Sequence, residues 1–269
     1  MLANNLGVVL KDLREFNLAM EYLERALEID QKTFGKEHTT VARDLSNIGL
    51  VFQEMGKIEQ AREYLEKAYE IDLKVHGQQS QTVATRLNNL GLVLRSSGEL
   101  EKAHEYLNRA LEIDEELSGP NHPNVAIRLN NLANLLFDQG EFIKAREYLE
   151  RALAIDERVY PTDHPIIAQR ALNLGQALQE MGYYGGAQVQ YQRALEIDEK
   201  TFGQDHPNVA RDIDRLGSVL LETGDYPSAR KLFELAVTTW EKSLGNRHPF
   251  MALGYIHIGS ALKFWPPCS

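Results

Sequence analysis

Apolar residues in this chain fall into two alternating stripes, and both have helical spacing. Between Val41 and Met55, the residues Val41, Leu45, Ile48 and Phe52 recur at steps of four, three and four, the one-sided stripe of an amphipathic helix. A glycine follows at Gly56, and a second stripe of Ala61, Leu65 and Ala68, continued by Ile71 or Asp72, runs to about Val75. We name the first segment helix A and the second helix B. A shift of 42 residues superposes Ala42, Ala84, Ala126, Ala168, Ala210 and Ala252 with no gap, and equally Ile48, Leu90, Leu132, Leu174, Leu216 and Ile258. A fixed period of this kind marks stacked units, none of which can bury its apolar face alone.

Counting units predicts an all-α array of thirteen helices. The first A helix falls at 1–13 and its B helix at about 17–33, four regular pairs run from Thr40 to about Thr201, a divergent pair spans Asn208 to about Ser243, and a last A helix spans Phe250 to Phe264. The units are about 1–39, 40–81, 82–123, 124–165, 166–207, 208–249 and a half-unit 250–264, one array over 1–265 with a tail at 265–269. Gly56, Gly98, Gly140, Gly182 and Gly224 recur after helix A and are expected to close it as left-handed caps.

A second glycine lies inside helix A, at Gly7, Gly49, Gly91, Gly175, Gly217 and Gly259, with Ala133 as the substitute. Glycine costs about 1 kcal/mol there relative to alanine. The expected reason is close approach to helix B near Ala61. In the loops between units, His122, His164, His206 and His248 precede proline, which suits the first turn of a helix and makes the His an expected N-cap. Ser80 stands at the same place in one unit, a good cap and a poor metal ligand. Each His belongs to a different repeat, so a shared metal ion is not expected.

Composition narrows the function. The 269 residues are 43% hydrophobic and 25% charged, with no apolar run near the roughly 20 residues that span a bilayer, so no membrane partner is expected. The start MLANNLGVVLKDLRE lacks the pattern of a secretory signal, and Cys268 is the single cysteine, so a reducing, cytoplasmic setting is expected. A net charge of −10 argues against nucleic acid as a partner. No His-Glu-x-x-His, cysteine pair or Gly-x-Ser-x-Gly occurs, and the glycines around Gly182, Gly185 and Gly186 lack the Lys-Ser/Thr of a phosphate loop. No enzyme activity and no cofactor are expected. Asp30, Asp72, Asp114, Asp156 and Asp198 recur too regularly for acid–base work and are expected to cap or pair between units. The last helix holds Lys263 as its one full charge, and the first helix has no cap residue in front, so the chain is expected to be a piece of a longer array or one whose ends stack on partners or on itself.

The stretch Leu87-Asn88-Asn89-Leu90-Gly91, then Gly98 to Ala103, then Tyr106 to Ile113, resembles the tetratricopeptide repeat. The 42-residue period and the closing Phe-Gly-x-x-His-Pro-x-Val-Ala at 202–210 are similar to the kinesin light chain type of that repeat. This resemblance implies a right-handed superhelical solenoid whose A helices line a concave groove that holds partner peptides. The most inward position is then Asn5, Asn47, Asn89, Asn131 and Asn173. A row of carboxamides can bind the backbone of an extended peptide, or can bond within the array and stiffen it. Both readings stand at this stage.

In the family that the chain resembles, basic residues near this Asn grip acidic peptides that carry a tryptophan, and Arg43, Lys11 and Arg95 match that pattern. Arg86, Arg128 and Arg170 form a further row three residues before the Asn, able either to hold carboxylates of a partner or to balance nearby Glu and Asp. The expected function is a non-catalytic scaffold that captures an extended, acidic, aromatic-bearing segment of a protein partner. The alternative is a structural or self-assembling array, or the sensor portion of a larger signalling protein.

Overall fold

A computed structural model describes residues 2–263, so Phe264, the tail at 265–269 and Cys268 lie outside the described residues. Thirteen helices and no strand occur among them. The first pairs are α1 (Leu2–Asp12) with α2 (Phe16–Phe34), α3 (Thr39–Glu54) with α4 (Ile58–His76), and α5 (Gln81–Ser97) with α6 (Leu100–Ser118). Then come α7 (Pro123–Asp138) and α8 (Phe142–Val159), α9 (Pro165–Glu180) and α10 (Tyr184–Phe202), α11 (Pro207–Glu222) and α12 (Tyr226–Leu244), and finally α13 (Pro249–Lys263). The boundaries expected from the stripes hold to within one or two residues. No helix among the described residues is long and apolar enough to cross a membrane.

The chain divides into two compact units, Met1–Leu135 and Leu136–Ser269. In the first, α1 to α6 each pack on the next helix in the chain; in the second, α8 to α13 do the same. The A-helix stripe therefore has two customers. Ile48 and Val51 of α3 share one apolar cluster with Ala19 and Leu23 of α2 and with Ala61 and Leu65 of α4. Burying such a side chain fully contributes about 1.5–3 kcal/mol. A unit cut from the array would leave half of that stripe in water.

Local backbone chemistry sets the turns. Gly56, Gly98, Gly140, Gly182 and Gly224 all have φ between 72° and 86°, the left-handed region that glycine adopts without strain. Arg14 fills the same place after α1 at φ 61°. The entry to each later A helix is capped as expected: His38, His122, His164, His206 and His248 each accept from the backbone N–H two residues on, at 3.2–3.3 Å, and Ser80 does the same at 3.2 Å. Phe34, Tyr160 and Phe202 stack on His38, His164 and His206 and hold those rings in the capping position.

The glycine inside helix A meets a side chain more than a backbone. A Cβ on Gly91 would lie 2.6 Å from Leu107 Cγ and 3.3 Å from the Ala103 carbonyl; on Gly49 it would lie 2.8 Å from Leu65 Cγ and 3.1 Å from the Ala61 carbonyl. The close approach expected at Ala61 is real, but Leu65, one turn later, fills the notch. In the second unit, Tyr191 and Phe233 take the leucine's place against Gly175 and Gly217, at 2.6 and 2.7 Å. Tyr191 is fully buried, and its hydroxyl is satisfied by donating to Gln179 Oε1 at 2.9 Å.

A second constraint couples each B helix to the next A helix. Arg86 Nε donates to Asp72 Oδ2 at 2.8 Å, Arg128 Nε to Asp114 Oδ2 at 2.9 Å and Arg170 Nε to Asp156 Oδ2 at 2.7 Å, always 14 residues apart. The recurring aspartates thus pair between units as expected. Two joints invert the chemistry. Asp44 and Asp212 stand where Arg86 stands, facing Asp30 and Asp198, and the arginine moves back one residue to bridge both carboxylates: Arg43 at 3.2 and 2.8 Å, Arg211 at 3.3 and 3.1 Å. At the last joint, Trp240 replaces the Asp and Gly254 the Arg. The ring lies 3.4 Å from a Cβ built on Gly254, and the indole N–H donates to the Pro207 carbonyl at 3.2 Å.

Burial, reinforced by Asp198, outweighs Arg211 and pushes the Asp212 carboxyl up to about 7 from its ordinary 3.8. Burial also raises Asp44 and Asp198. A carboxyl with a raised folded value contributes stability that is full below its unfolded value and is lost as pH climbs through the folded one. Joint stability at Asp198/Asp212 should therefore fall between about pH 4 and pH 7.

Four outcomes follow for stability. Gly91→Ala should destabilise, because overpacking costs about 1–3 kcal/mol and helix propensity returns only about 1. Gly259→Ala, with nothing within 4 Å, should be neutral or stabilising, and urea titrations giving both variants the same loss would contradict the notch. Arg14→Gly should raise the melting temperature, since a non-glycine residue in the left-handed region costs roughly 1–2 kcal/mol and glycine's extra chain entropy about 0.4–1. Asp212→Asn should match the parent at about pH 4 and lose less stability than the parent between about pH 4 and pH 7; thermal melts with equal losses would sink the assignment.

Candidate functional site

Within the first unit, helix A presents the same position to the same side in successive repeats, which brings Asn47, Asn89 and Asn131 into register. Asn47 of α3, Asn89 of α5 and Asn131 of α7 belong to the first unit and Asn173 of α9 to the second; all are half-buried, and Asn5 of α1 is exposed. Asn47 Nδ2 donates to Asn4 Oδ1 at 2.8 Å, and Asn131 Nδ2 to Asn88 Oδ1 at 2.7 Å. Each bond spans 43 residues, from the Asn of one repeat to the residue just before the equivalent Asn of the repeat behind. Asn88 Nδ2 in turn lies 3.4 Å from Asn89 Oδ1. In the second unit, His257 Nδ1 and Asp214 Oδ1 make the same 43-residue link at 2.7 Å, with imidazole and carboxylate in place of two amides. Asn173 Oδ1 accepts from Gln169 Nε2 at 3.0 Å within α9.

These bonds give the stiffening role a physical basis without exhausting the groups. A carboxamide carries two N–H donors and an oxygen with two lone pairs, so one ladder bond leaves capacity on Asn47 and Asn131. The acceptors of the ladder, Asn4, Asn88 and Asp214, are buried at 4–5% exposure and were not among the expected site residues. For Asn4 and Asn88 the signal in the sequence is the doublets Asn4-Asn5 and Asn88-Asn89.

The arginines separate into two groups. The side chains of Arg86, Arg128 and Arg170 keep only 11%, 6% and 6% of their surface exposed, each locked to an aspartate with no exposed side-chain surface. Arg128 also donates to Thr85 Oγ1 at 3.3 Å. The guanidiniums of this row lie between repeats, each paired with an aspartate of the preceding helix. Arg43 is different, with 33% of its side chain exposed beside Asp30 and Asp44. Arg95 lies half-buried near the end of α5, and Lys11 pairs with Asp12 at 2.9 Å.

No group of three or more His, Cys, Asp or Glu is placed to hold a metal ion among the described residues. On the B-helix side of the first unit, a depression of about 420 Å³ has Leu27, Val41 and Tyr64 along its floor and Lys36 and Lys74 at its rim. A smaller one of about 200 Å³ lies one period on, lined by Tyr69, Val83 and Arg109. They mark the spacing between successive B helices.

A model of the tetratricopeptide repeat matches residues 1–74, 81–158, 127–200 and 166–242. Among solved structures, BtubC (BKLC) from P. vanneervenii is 22% identical with a TM-score of 0.73, over 86% of this chain and 92% of that one. The nearly identical TPR-like repeats of a kinesin light chain candidate from Podosopora anserina are 22% identical with a TM-score of 0.67, over 77% and 98%. A Rap protein complexed with competence and sporulation factor is 19% identical with a TM-score of 0.69, over 97% and 74%. No curated protein matches the chain. At these identities the solved structures show a shared fold, and the repeat-by-repeat match extends over most of the sequence. The chain therefore belongs to the tetratricopeptide repeat family, a fold of protein-interaction scaffolds.

Proposed function

We propose that the chain is a non-catalytic, cytoplasmic scaffold that captures an extended, acidic segment of a protein partner along the A-helix face. Asn47, Asn89 and Asn131 in one unit, and Asn173 in the other, bind the partner's backbone; Arg43 and Arg95 attract its carboxylates and Arg86, Arg128 and Arg170 hold the face in register. The observation that carries this reading is the repetition of a half-buried carboxamide with unspent hydrogen-bonding capacity at one position of successive A helices. A peptide bound in a relative supports the class of ligand: the Rap protein was solved with competence and sporulation factor.

A random peptide-display library panned on residues 1–269 tests the face. Acidic sequences with an aromatic residue should be enriched. A selected peptide should lose about tenfold in affinity on Asn89→Leu or Arg95→Glu, the size of one charge-assisted hydrogen bond, with helix content unchanged by circular dichroism. Enrichment of nothing, or a peptide indifferent to both variants, would overturn the proposal.

A further inference from the structure

Two joints hold one more acid than base. Where α2 meets α3, Arg43 bridges Asp30 and Asp44; where α10 meets α11, Arg211 bridges Asp198 and Asp212. In each joint the guanidinium bonds Oδ1 of the A-helix aspartate, and its other oxygen, Asp44 Oδ2 or Asp212 Oδ2, is buried with no hydrogen-bond partner. The second aspartate lies within hydrogen-bonding reach of the first in both. One carboxylate has nothing to donate to another, so a single proton between the two acids satisfies the buried oxygen and neutralises the joint. Asp114 Oδ1 and Asp156 Oδ1 also have no partner, but those carboxyls are matched one to one with a guanidinium. The other charged or titratable neighbours are few. Asp212 has His206 in the preceding loop, while α12 and α13 pack the flanking Val209 and Ile213 with Val237, Trp240 and Met251, and His257 of α13 is bonded to Asp214. Asp44 has His38 in the preceding loop and Asp72 on α4, whose oxygens are held by Thr39 and by Arg86 of α5.

Both arginines keep part of their surface open, 33% of the side chain for Arg43 and 31% for Arg211. Arg43 lies four residues before Asn47, on the same face of α3. We propose that Asp44 and Asp212 each hold a proton donated to Asp30 or Asp198, and that this proton gates capture of an acidic partner segment on the A-helix face. With the proton in place the joint is neutral, and the arginine has N–H groups to spare for a partner's carboxylate. Once the proton leaves, two carboxylates compete for one guanidinium, and the joint sets a net negative charge beneath the face that an acidic segment must approach. Burial is the leading cause that holds Asp44 above the ordinary carboxyl range and lifts Asp212 to about 7, which brings the gate within reach of mild changes in pH. Capture and protonation are then linked: a partner that raises the joint's hold on its proton tenfold gains tenfold in its own affinity when the proton is bound. The inference rests on the reading of the A-helix face as the peptide site and adds its regulation.

Infrared spectra and peptide binding of residues 1–269 test the proton and the gate separately. At about pH 6 the parent should show the C=O stretch of a protonated carboxylic acid, fading by about pH 8 and missing from the double variant Asp44→Asn/Asp212→Asn. Absence of the band from the parent, or its survival in the double variant, overturns the proton assignment. The binding probe is a rhodamine-labelled synthetic peptide of glutamates around one tryptophan, whose carboxylates stay largely ionised down to about pH 5.5. The parent should bind it at least about tenfold more tightly at about pH 5.5 than at about pH 8. In the double variant each Asn amide donates where the acid would, so binding at about pH 8 should match that of the parent at about pH 5.5. A pH dependence that persists in the double variant traces to His38 and His206 and overturns the gate. A peptide bound at neither pH overturns the reading of the A-helix face and the gate with it, while the infrared band still reports the proton independently.

Discussion

The internal A helices α3, α5, α9 and α11 are each packed by two B helices at once, and this double burial is the constraint on which the other features depend. In α5 it demands a glycine where the two helices of the pair come closest, since Leu107 already occupies the space a Cβ on Gly91 would take. It also demands that whatever lies at the next joint be matched across 14 residues. The chain meets that demand in three ways: an Asp–Arg pair, two aspartates bridged by an arginine one residue earlier, and a tryptophan over a glycine. What is conserved from joint to joint is volume and charge balance. At the last joint Val237, which fills the space of a Cβ built on Gly254, requires the glycine, and elsewhere a misplaced carboxylate brings an arginine with it.

The same joints decide what the A-helix face has to offer. Burying an ion pair gains little against an apolar contact, but leaving either partner alone is costly, so Arg86, Arg128 and Arg170 are committed to the stack. The asparagines are committed only in part. Their ladder bonds fix their orientation, which lowers the ordering cost of a second bond to a partner's backbone. Stiffening and binding are then two uses of one carboxamide.

The fold was legible in the sequence because its signals are local or strictly periodic. Gly56 and its equivalents act through backbone φ, and the histidine caps act over two residues, so neither depends on distant partners. The site was legible in position but less so in role. Three residues separate Arg86 from Asn89, which puts both on nearly one face of α5, and only the aspartate in the preceding helix turns the arginine inward. That pairing did leave a trace: Asp44 and Asp212 occur together with Arg43 and Arg211, and Trp240 occurs with Gly254.

The central claim is that the arginine row couples repeats and does not contact partners. A double-mutant cycle on Asp114→Asn and Arg128→Gln, read by urea unfolding, tests it most directly. Each single change should cost about 3–5 kcal/mol because it strands a buried charge, and the double variant should cost much less than their sum. Small, additive losses would contradict the account and return Arg128 to the surface as a partner-binding residue.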